Sequence, residues 1–387
     1  MYVAGNRFRL LFNGQDYFPA LIDAIELAQQ EVFLESYLFE ADEVGSAVMQ
    51  SLIAAALRGV RVNLQIDGFG ARNLPLVWRE QLSVAGVRLL FFRPELKVLS
   101  LDRQRLRRLH RKLAVIDGSV AFIGGINILS DFEPSQPECA PRYDYAVRIV
   151  GPLVAQLHES ADHLWRHTAW VQLKKNWAIR STLKPSPQVL GRARGRFVYR
   201  DNLRHRGDIE REYLQAIWHA KSEIILANAY FLPGYRLRHA LIRAAKRGVN
   251  VVLLVQGRVD QALLHYASRG FYHQFLSAGI EIYEYQKGFM HAKVAVIDGV
   301  WATVGSSNID PFSLLLAREA NVFVREKQFA GELRTDLKRA LQEDAAQIKT
   351  SDVERDRWLY RVLPWLCHAV VRLMMGVSGY GGRRYLE

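Results

Sequence analysis

Two copies of one short pattern constrain this chain more than any other feature. His110-Arg111-Lys112-Leu113-Ala114-Val115-Ile116-Asp117 and His291-Ala292-Lys293-Val294-Ala295-Val296-Ile297-Asp298 both fit H-x-K-x4-D. At the same offset each is followed by a small-residue turn, Gly124-Gly125-Ile126-Asn127 and Gly305-Ser306-Ser307-Asn308. By ordinary residue frequencies a chance match is expected on the order of once per hundred chains of this length. Two copies with matching turns mark an internal duplication, and a duplication demands two similar folding units.

The surrounding sequence repeats as well. Glu31 to Phe39 reads as a strand, then a helix ends at Leu57-Arg58-Gly59-Val60 and a strand runs from Arg61 to Ile66. In the second half Glu223 to Phe231, a helix ending Lys246-Arg247-Gly248-Val249, and a strand to Gln256 follow the same order. Ala85-Gly86-Val87 and Ala278-Gly279-Ile280 each read as a glycine-capped helix end running into a strand. Strands alternating with helices predict an α/β fold: two similar α/β halves with mixed or mainly parallel sheets. The expected organisation is a first half at 1–170, a basic linker at 171–196, a second half at 197–350, and a C-terminal segment at 351–387. From His163 to Arg200 nine Lys or Arg occur and no acid, so this stretch is either a solvated connection or a basic surface toward anionic lipid.

Charge narrows the partners. The net charge is +13 with a pI near 9.8, which favours a polyanion, either nucleic acid or an anionic membrane surface. The two cysteines, Cys139 and Cys367, lie far apart without CxxC or Cys/His spacing, so a disulfide framework is not expected and a reducing setting fits. No stretch reaches the roughly 18–20 apolar residues of a membrane-spanning helix. Neither a signal-peptide pattern nor a nucleic-acid-binding module is recognisable.

The repeated motif carries the chemistry. In an extended segment His110 and Lys112 share one face, as do His291 and Lys293, while Leu113, Val115, Val294 and Val296 point the other way. Imidazole serves as base, acid or nucleophile near neutrality, and an ammonium neutralises phosphate oxygens. Asn127 and Asn308 add neutral donors, and Gly125 and Ser306 keep the turns small enough for backbone N–H groups to meet a phosphate. Asp117 and Asp298 end the strands, where chemistry and turn formation are equally open readings. Asp144 and Glu319, each opening an apolar strand downstream, are supporting candidates for orienting an imidazole; ion pairs with Arg142 and Arg318 are the plain alternative. No metal-ligand motif and no Walker loop occurs, so no metal or cofactor is expected and the lysines take over the electrostatic role.

The duplicated motif with its G-[GS]-x-N partner resembles the phospholipase D superfamily. Arg200-Asp201-Asn202, Asp208-Ile209-Glu210, Asn228 to Arg236 and Gly305 to Pro311 are similar to bacterial cardiolipin synthases, most closely the B type. That resemblance implies two similar α/β halves with the active site at their seam and His110, Lys112, Asp117, His291, Lys293 and Asp298 as the catalytic set. It implies transfer of a phosphatidyl group from one phosphatidylglycerol to another, releasing glycerol, through a phosphatidyl-histidine with His110 as nucleophile and His291 as acid/base. It further implies anionic phospholipid partners, no nucleic acid, and peripheral attachment on the cytoplasmic side of the cell membrane. A phosphodiesterase or nuclease with the same chemistry, and a non-catalytic basic protein binding membrane or nucleic acid, are the competing readings. Two segments are candidates for meeting lipid: Arg93 to Lys112 and Trp358 to Tyr380, each mixing basic and apolar residues.

Overall fold

The computed structural model describes residues 1–94, 107–132, 140–201, 204–259, 262–355 and 362–377. The first half contains β1 (Val3–Phe12), α1 (Asn13–Glu26), β2 (Glu31–Ser36), α2 (Glu43–Leu57), β3 (Arg61–Asp67), α3 (Leu76–Val84), β4 (Arg88–Phe92), β5 (Leu113–Ile116), β6 (Val120–Gly124), β7 (Ala140–Tyr143), β8 (Tyr145–Val150) and α4 (Val154–Val171). The second contains β9 (Ala193–Arg200), α5 (Asp208–His219), β10 (Glu223–Asn228), α6 (Tyr235–Lys246), β11 (Asn250–Gln256), α7 (Ala262–Arg269), α8 (Tyr272–Leu276), β12 (Glu281–Tyr285), β13 (Gly288–Met290), β14 (Lys293–Ile297), β15 (Trp301–Gly305), α9 (Pro311–Leu315), β16 (Glu319–Arg325) and α10 (Lys327–Glu343). β17 (Ala345–Ile348), α11 (Thr350–Arg355) and α12 (Leu363–Val377) follow.

Fifteen strands form one sheet, and its order displays the duplication. Outward from the centre the first half reads β1-β8-β6-β5-β2-β3-β4 and the second β9-β16-β15-β14-β10-β11-β12, with β17 added at the second edge. β1 and β9 join the halves, antiparallel, with Val3 opposite Gly195 and Asn6 opposite Ala193. β2-β3-β4 and β10-β11-β12 are parallel, and the central strands are antiparallel. All residues of β2 and β14 are buried, as expected of strands covered on both faces. Alternation in β5 therefore separates two interiors: Leu113 and Val115 enter one core, and Ala114 and Ile116 enter a second.

Those cores define the layers. One belongs to the first half and another chiefly to the second, with Leu52 and Leu64 in the former and Leu241 and Leu253 in the latter. The largest is shared: Leu157 and Trp165 of α4 and Leu333 and Leu337 of α10 pack there with Val115 and Val296. The halves are therefore bonded along β1–β9 and, in a separate two-stranded sheet, along β7–β13, and they are welded through a common interior. Gly59 and Gly248, both at φ +89°, end α2 and α6 in the left-handed conformation that a side chain would resist, as their matched sequence positions predict. The connection after α4 begins as a packed segment, with Trp177 stacked on Trp165 at 6.1 Å.

Candidate active site

The first motif enters β5 and the second enters β14, so both histidines stand where their strands begin. What holds each histidine comes from the other half. The His110 N–H donates to the Arg318 carbonyl at 2.9 Å, and the His291 N–H donates to the Tyr143 carbonyl at 2.9 Å. The next residue in each case supplies an acid: His110 Nδ1 lies 2.9 Å from Glu319 Oε1, and His291 Nδ1 lies 2.7 Å from Asp144 Oδ2. Asp144 and Glu319 thus orient imidazoles, as their positions suggest, but crosswise, a pairing that no reading of either half alone assigns. With Nδ1–H committed to a carboxylate, Nε2 is the nitrogen free for chemistry.

The lysines fold back on the same segments. Lys112 Nζ donates to the His110 carbonyl at 2.9 Å, and Lys293 Nζ donates to the His291 carbonyl. Burial pushes Lys112 down to about 7; Glu319 offsets part of that and Lys293 adds to it. His291 is held well below the ordinary histidine range by burial, then by Lys293, Lys112 and His110. His110 is lowered by burial, with Glu319 opposing and Lys112 and Lys293 contributing. Burial pushes Asp144 up to about 6 against the pull of Lys293. The mutual influence of the two histidines and two lysines places all four in one site. An arriving phosphodiester relieves the repulsion between the lysines and favours their charged forms.

Four expectations change. Asp117 and Asp298, expected as catalytic, are turn anchors at the far ends of their strands, seven residues and roughly 20 Å of extended chain from the histidines. Asp117 accepts the N–H groups of Gln29, Gln30 and Glu31, and Asp298 those of Lys221, Ser222 and Glu223, at 2.8–3.0 Å. Both sit at positive φ, +50° and +52°, which the short side chain tolerates. Gly125 and Ser306, expected to offer N–H groups to phosphate, have them already engaged: Gly125 donates to the Tyr145 carbonyl and Ser306 to that of Ala320. Their role is to shape the acids. A Cβ on Gly125 would lie 2.3 Å from Asp144 Oδ1, so the carboxylate fits only against glycine. The Ser306 hydroxyl donates to Glu319 Oε2 instead. Asn127 is buried and accepts from the Leu38 N–H at 3.2 Å, leaving its amide nitrogen to donate. Asn308 is buried with its Oδ1 unpartnered among the described residues.

Several residues of the site were not singled out from sequence. Tyr37 packs its ring 5.1 Å from His110, with Lys112 Nζ 5.4 Å from the ring centre. Asp67 and Gln256, ending β3 and β11, hold the chain one residue before each histidine. Asp67 Oδ2 accepts the Leu109 N–H at 2.8 Å, and Gln256 Oε1 accepts the Met290 N–H at 3.2 Å. Arg111 is buried against Glu35, with Nε to Oε2 at 2.7 Å. The sequence signal was the repeat itself, since aligned strand ends share these duties. Among the described residues no group of three or more His, Cys, Asp or Glu stands together as a metal site.

The crossed pair of H-x-K segments at the seam of a duplicated α/β fold defines a member of the phospholipase D superfamily. Within it, the chain belongs to the cardiolipin synthase, PLD-like domain family, whose model matches residues 21–165 and 213–341. The chain is 40% identical over 359 residues to cardiolipin synthase B of Salmonella typhi, covering 92% of this chain and 85% of that protein. It is 38% identical over 356 residues to cardiolipin synthase B of Escherichia coli strain K12, with the same coverages. Phosphatidylserine synthase from Haemophilus influenzae Rd KW20 has the same fold, at a TM-score of 0.70, 12% identity, and coverage of 98% of this chain and 96% of that one.

Proposed function

We propose that this protein transfers a phosphatidyl group from one phosphatidylglycerol to the hydroxyl of another, releasing glycerol and forming cardiolipin. The crossed His–acid pairs carry this reading, because they orient two imidazoles, each with a free Nε2 and a lysine folded back on the same segment. His110 Nε2 attacks the donor phosphorus, forming a P–N bond as the P–O bond to glycerol breaks. His291, supported by Asp144, gives the departing alkoxide its proton. In the second step the acceptor hydroxyl returns a proton to His291 as its oxygen displaces His110 from phosphorus. Lys112 and Lys293 carry the charge that develops on the non-bridging oxygens, with the amides of Asn127 and Asn308 as neutral contacts. The test is purified protein on phosphatidylglycerol vesicles, with products separated by chromatography. Cardiolipin and glycerol are expected, His110→Ala and His291→Ala should each remove both, and a rapid quench in denaturing detergent at neutral pH should yield phosphatidyl-protein. Phosphatidic acid as the sole product would instead make the protein a hydrolase.

Among the described residues no helix is long and apolar enough to cross a membrane. The proposed attachment is peripheral, to the cytoplasmic side of the cell membrane, through the C-terminal segment. One side of α12 is buried: Val371 packs with Leu232, Ala267 and Leu316, and Cys367 lies against them. Val362, Trp365, Leu366 and Val370 remain exposed at helical spacing, with Trp365 69% exposed. Leu316 lies just before Glu319, and Leu232 follows Phe231, whose bridge partner Ile309 adjoins Asn308. This apolar stripe therefore sits beside the catalytic loops, a placement that suits shallow insertion and a lipid substrate. Most of the other candidate segment, 95–106, lies outside the described residues.

A further inference from the structure

Glu319 and Asp144 do matching work at the two histidines, yet they are braced differently. Glu319 is held directly: the Ser306 hydroxyl donates to its Oε2, and the Ala320 N–H donates to Ser306 Oγ at 3.0 Å. At Asp144 the matching turn residue is Gly125, which brings no hydroxyl. The Asp144 carboxylate instead accepts from its own segment, where the Tyr145 N–H donates to Oδ1 at 2.8 Å. The flanking residues differ as well. Arg318 and Ala320 flank Glu319, whereas Tyr143 and Tyr145 flank Asp144.

In extended chain the neighbours of Asp144 turn away from the side it faces, and both tyrosine rings enter the shared core. A single carboxylate meets them there. Tyr143 Oη donates to Asp336 Oδ2 at 2.7 Å and Tyr145 Oη donates to the same oxygen at 2.6 Å, with the two hydroxyls in contact. Asp336 belongs to α10 of the second half, and its other oxygen accepts from Arg339 Nη2 at 2.8 Å. One carboxylate oxygen has lone pairs for two donors. Burial raises both phenols and Asp336 adds to the effect in each, so both hydroxyls keep their protons near neutrality.

This clamp bears on His291 by two routes. The His291 N–H donates to the Tyr143 carbonyl at 2.9 Å, and Nδ1 lies 2.7 Å from Asp144 Oδ2. Both acceptors belong to the segment whose two rings are fixed on one oxygen. A rotation that swings the Asp144 carboxylate off the imidazole must also pull a hydroxyl from Asp336, leaving a buried donor without its charged partner. We propose that Asp336 is a positioning residue for His291, acting through Tyr143 and Tyr145 on Asp144; its effect on turnover rests on the transfer reading above, in which His291 moves the proton. The second half thus reaches across the seam, through α10, to hold the first-half residues that orient its own histidine. His110 has a different brace, so loss of Asp336 disturbs one histidine and spares the other.

The test reads the two histidines separately. In the full chain carrying nitrogen-labelled histidine, proton NMR follows the two carboxylate-bound Nδ1–H signals, assigned by their loss in His110→Ala and His291→Ala. Asp336→Ala should move or broaden the His291 signal and leave that of His110 in place. In the same variant kcat should fall roughly tenfold to a hundredfold, with KM for phosphatidylglycerol unchanged. Tyr143→Phe combined with Tyr145→Phe keeps both rings in the core, and it should reproduce this split even if Asp336→Ala does not fold. Asp336→Asn, which keeps an acceptor oxygen, should recover part of the kcat that Asp336→Ala loses. An unmoved His291 signal in the folded variants overturns the proposal. So does an equal shift of both signals, which a general loosening of the shared core would produce. If the His291 signal moves alone while the unmodified protein makes phosphatidic acid and no cardiolipin, the clamp stands and the transfer reading falls.

Discussion

At the scale of single residues, the site is a compromise between charge and burial. Asp144 lies 2.7 Å from His291 and is pushed by burial up to about 6, while burial and the two lysines hold His291 well below the ordinary histidine range, so the pair gives up solvation to keep its imidazole oriented. Asp144→Asn keeps the shape but cannot stabilise an imidazolium, and kcat should fall on the order of 10³-fold with the fold retained. A steady-state assay with a thermal melt checks this, and a rate within a few fold of wild type would dismiss the pairing. Lys112 carries the opposite cost. Its proton affinity is lowered to about 7 in the folded protein from an ordinary value of 10.5, so folding opposes its charge. That penalty is complete below pH 7 and disappears as pH rises to about 10.5, since the unfolded chain then loses the proton as well. Lys112→Met should abolish transfer yet raise the melting temperature by a few degrees, more at pH 6 than at pH 10.

At the scale of elements, the motif divides its labour along one strand. Its histidine and lysine stand at the start of the strand and its aspartate at the end, where three backbone N–H groups from the loop entering β2 or β10 converge on the carboxylate. Burial raises Asp298, but the bonds from Glu223, Ser222 and Lys221 outweigh it and hold the carboxyl below its usual range. Asp117→Ala or Asp298→Ala should therefore cost stability, on the order of 2 kcal/mol from orphaned donors and a strained positive φ, while kcat of the folded fraction stays near wild type. Denaturant titration beside active-site-normalised kinetics separates the two. The helix α12 shows a comparable split, with one side packed and the other apolar and exposed.

At the scale of the whole molecule, the duplication makes neither half sufficient. Each histidine is oriented by an acid across the seam, and the shared core around α4 and α10 fixes that geometry. Under the proposed peripheral attachment, the net charge of +13 acts at longer range, and each basic group brought near an anionic surface would contribute about 1 kcal/mol. Co-sedimentation with phosphatidylglycerol vesicles should weaken steeply as salt rises through the range that shortens electrostatic reach. Trp365→Ser with Leu366→Ser should weaken it further at every salt concentration, because insertion of the α12 stripe is not screened. Binding that ignores salt would remove the electrostatic attraction, and binding untouched by the two serines would remove α12 from the membrane contact.

By itself the sequence determined the duplication, the α/β class and the six motif residues, because local periodicity and spacing are written along one chain. Glycine ends at Gly59 and Gly248 were legible for the same reason. Tertiary structure alone decided which acid serves which histidine, because Glu319 and Asp144 reach their partners across a seam that no local pattern describes. It also decided that Asp117 and Asp298 anchor turns: a carboxylate at a strand end looks alike in sequence whether it faces a substrate or three N–H groups. The contrast between Ser306 at Glu319 and Asp336 behind Tyr143 and Tyr145 belongs to the same class. Duplication supplies near-symmetry, and only packing across the seam shows where that symmetry is broken.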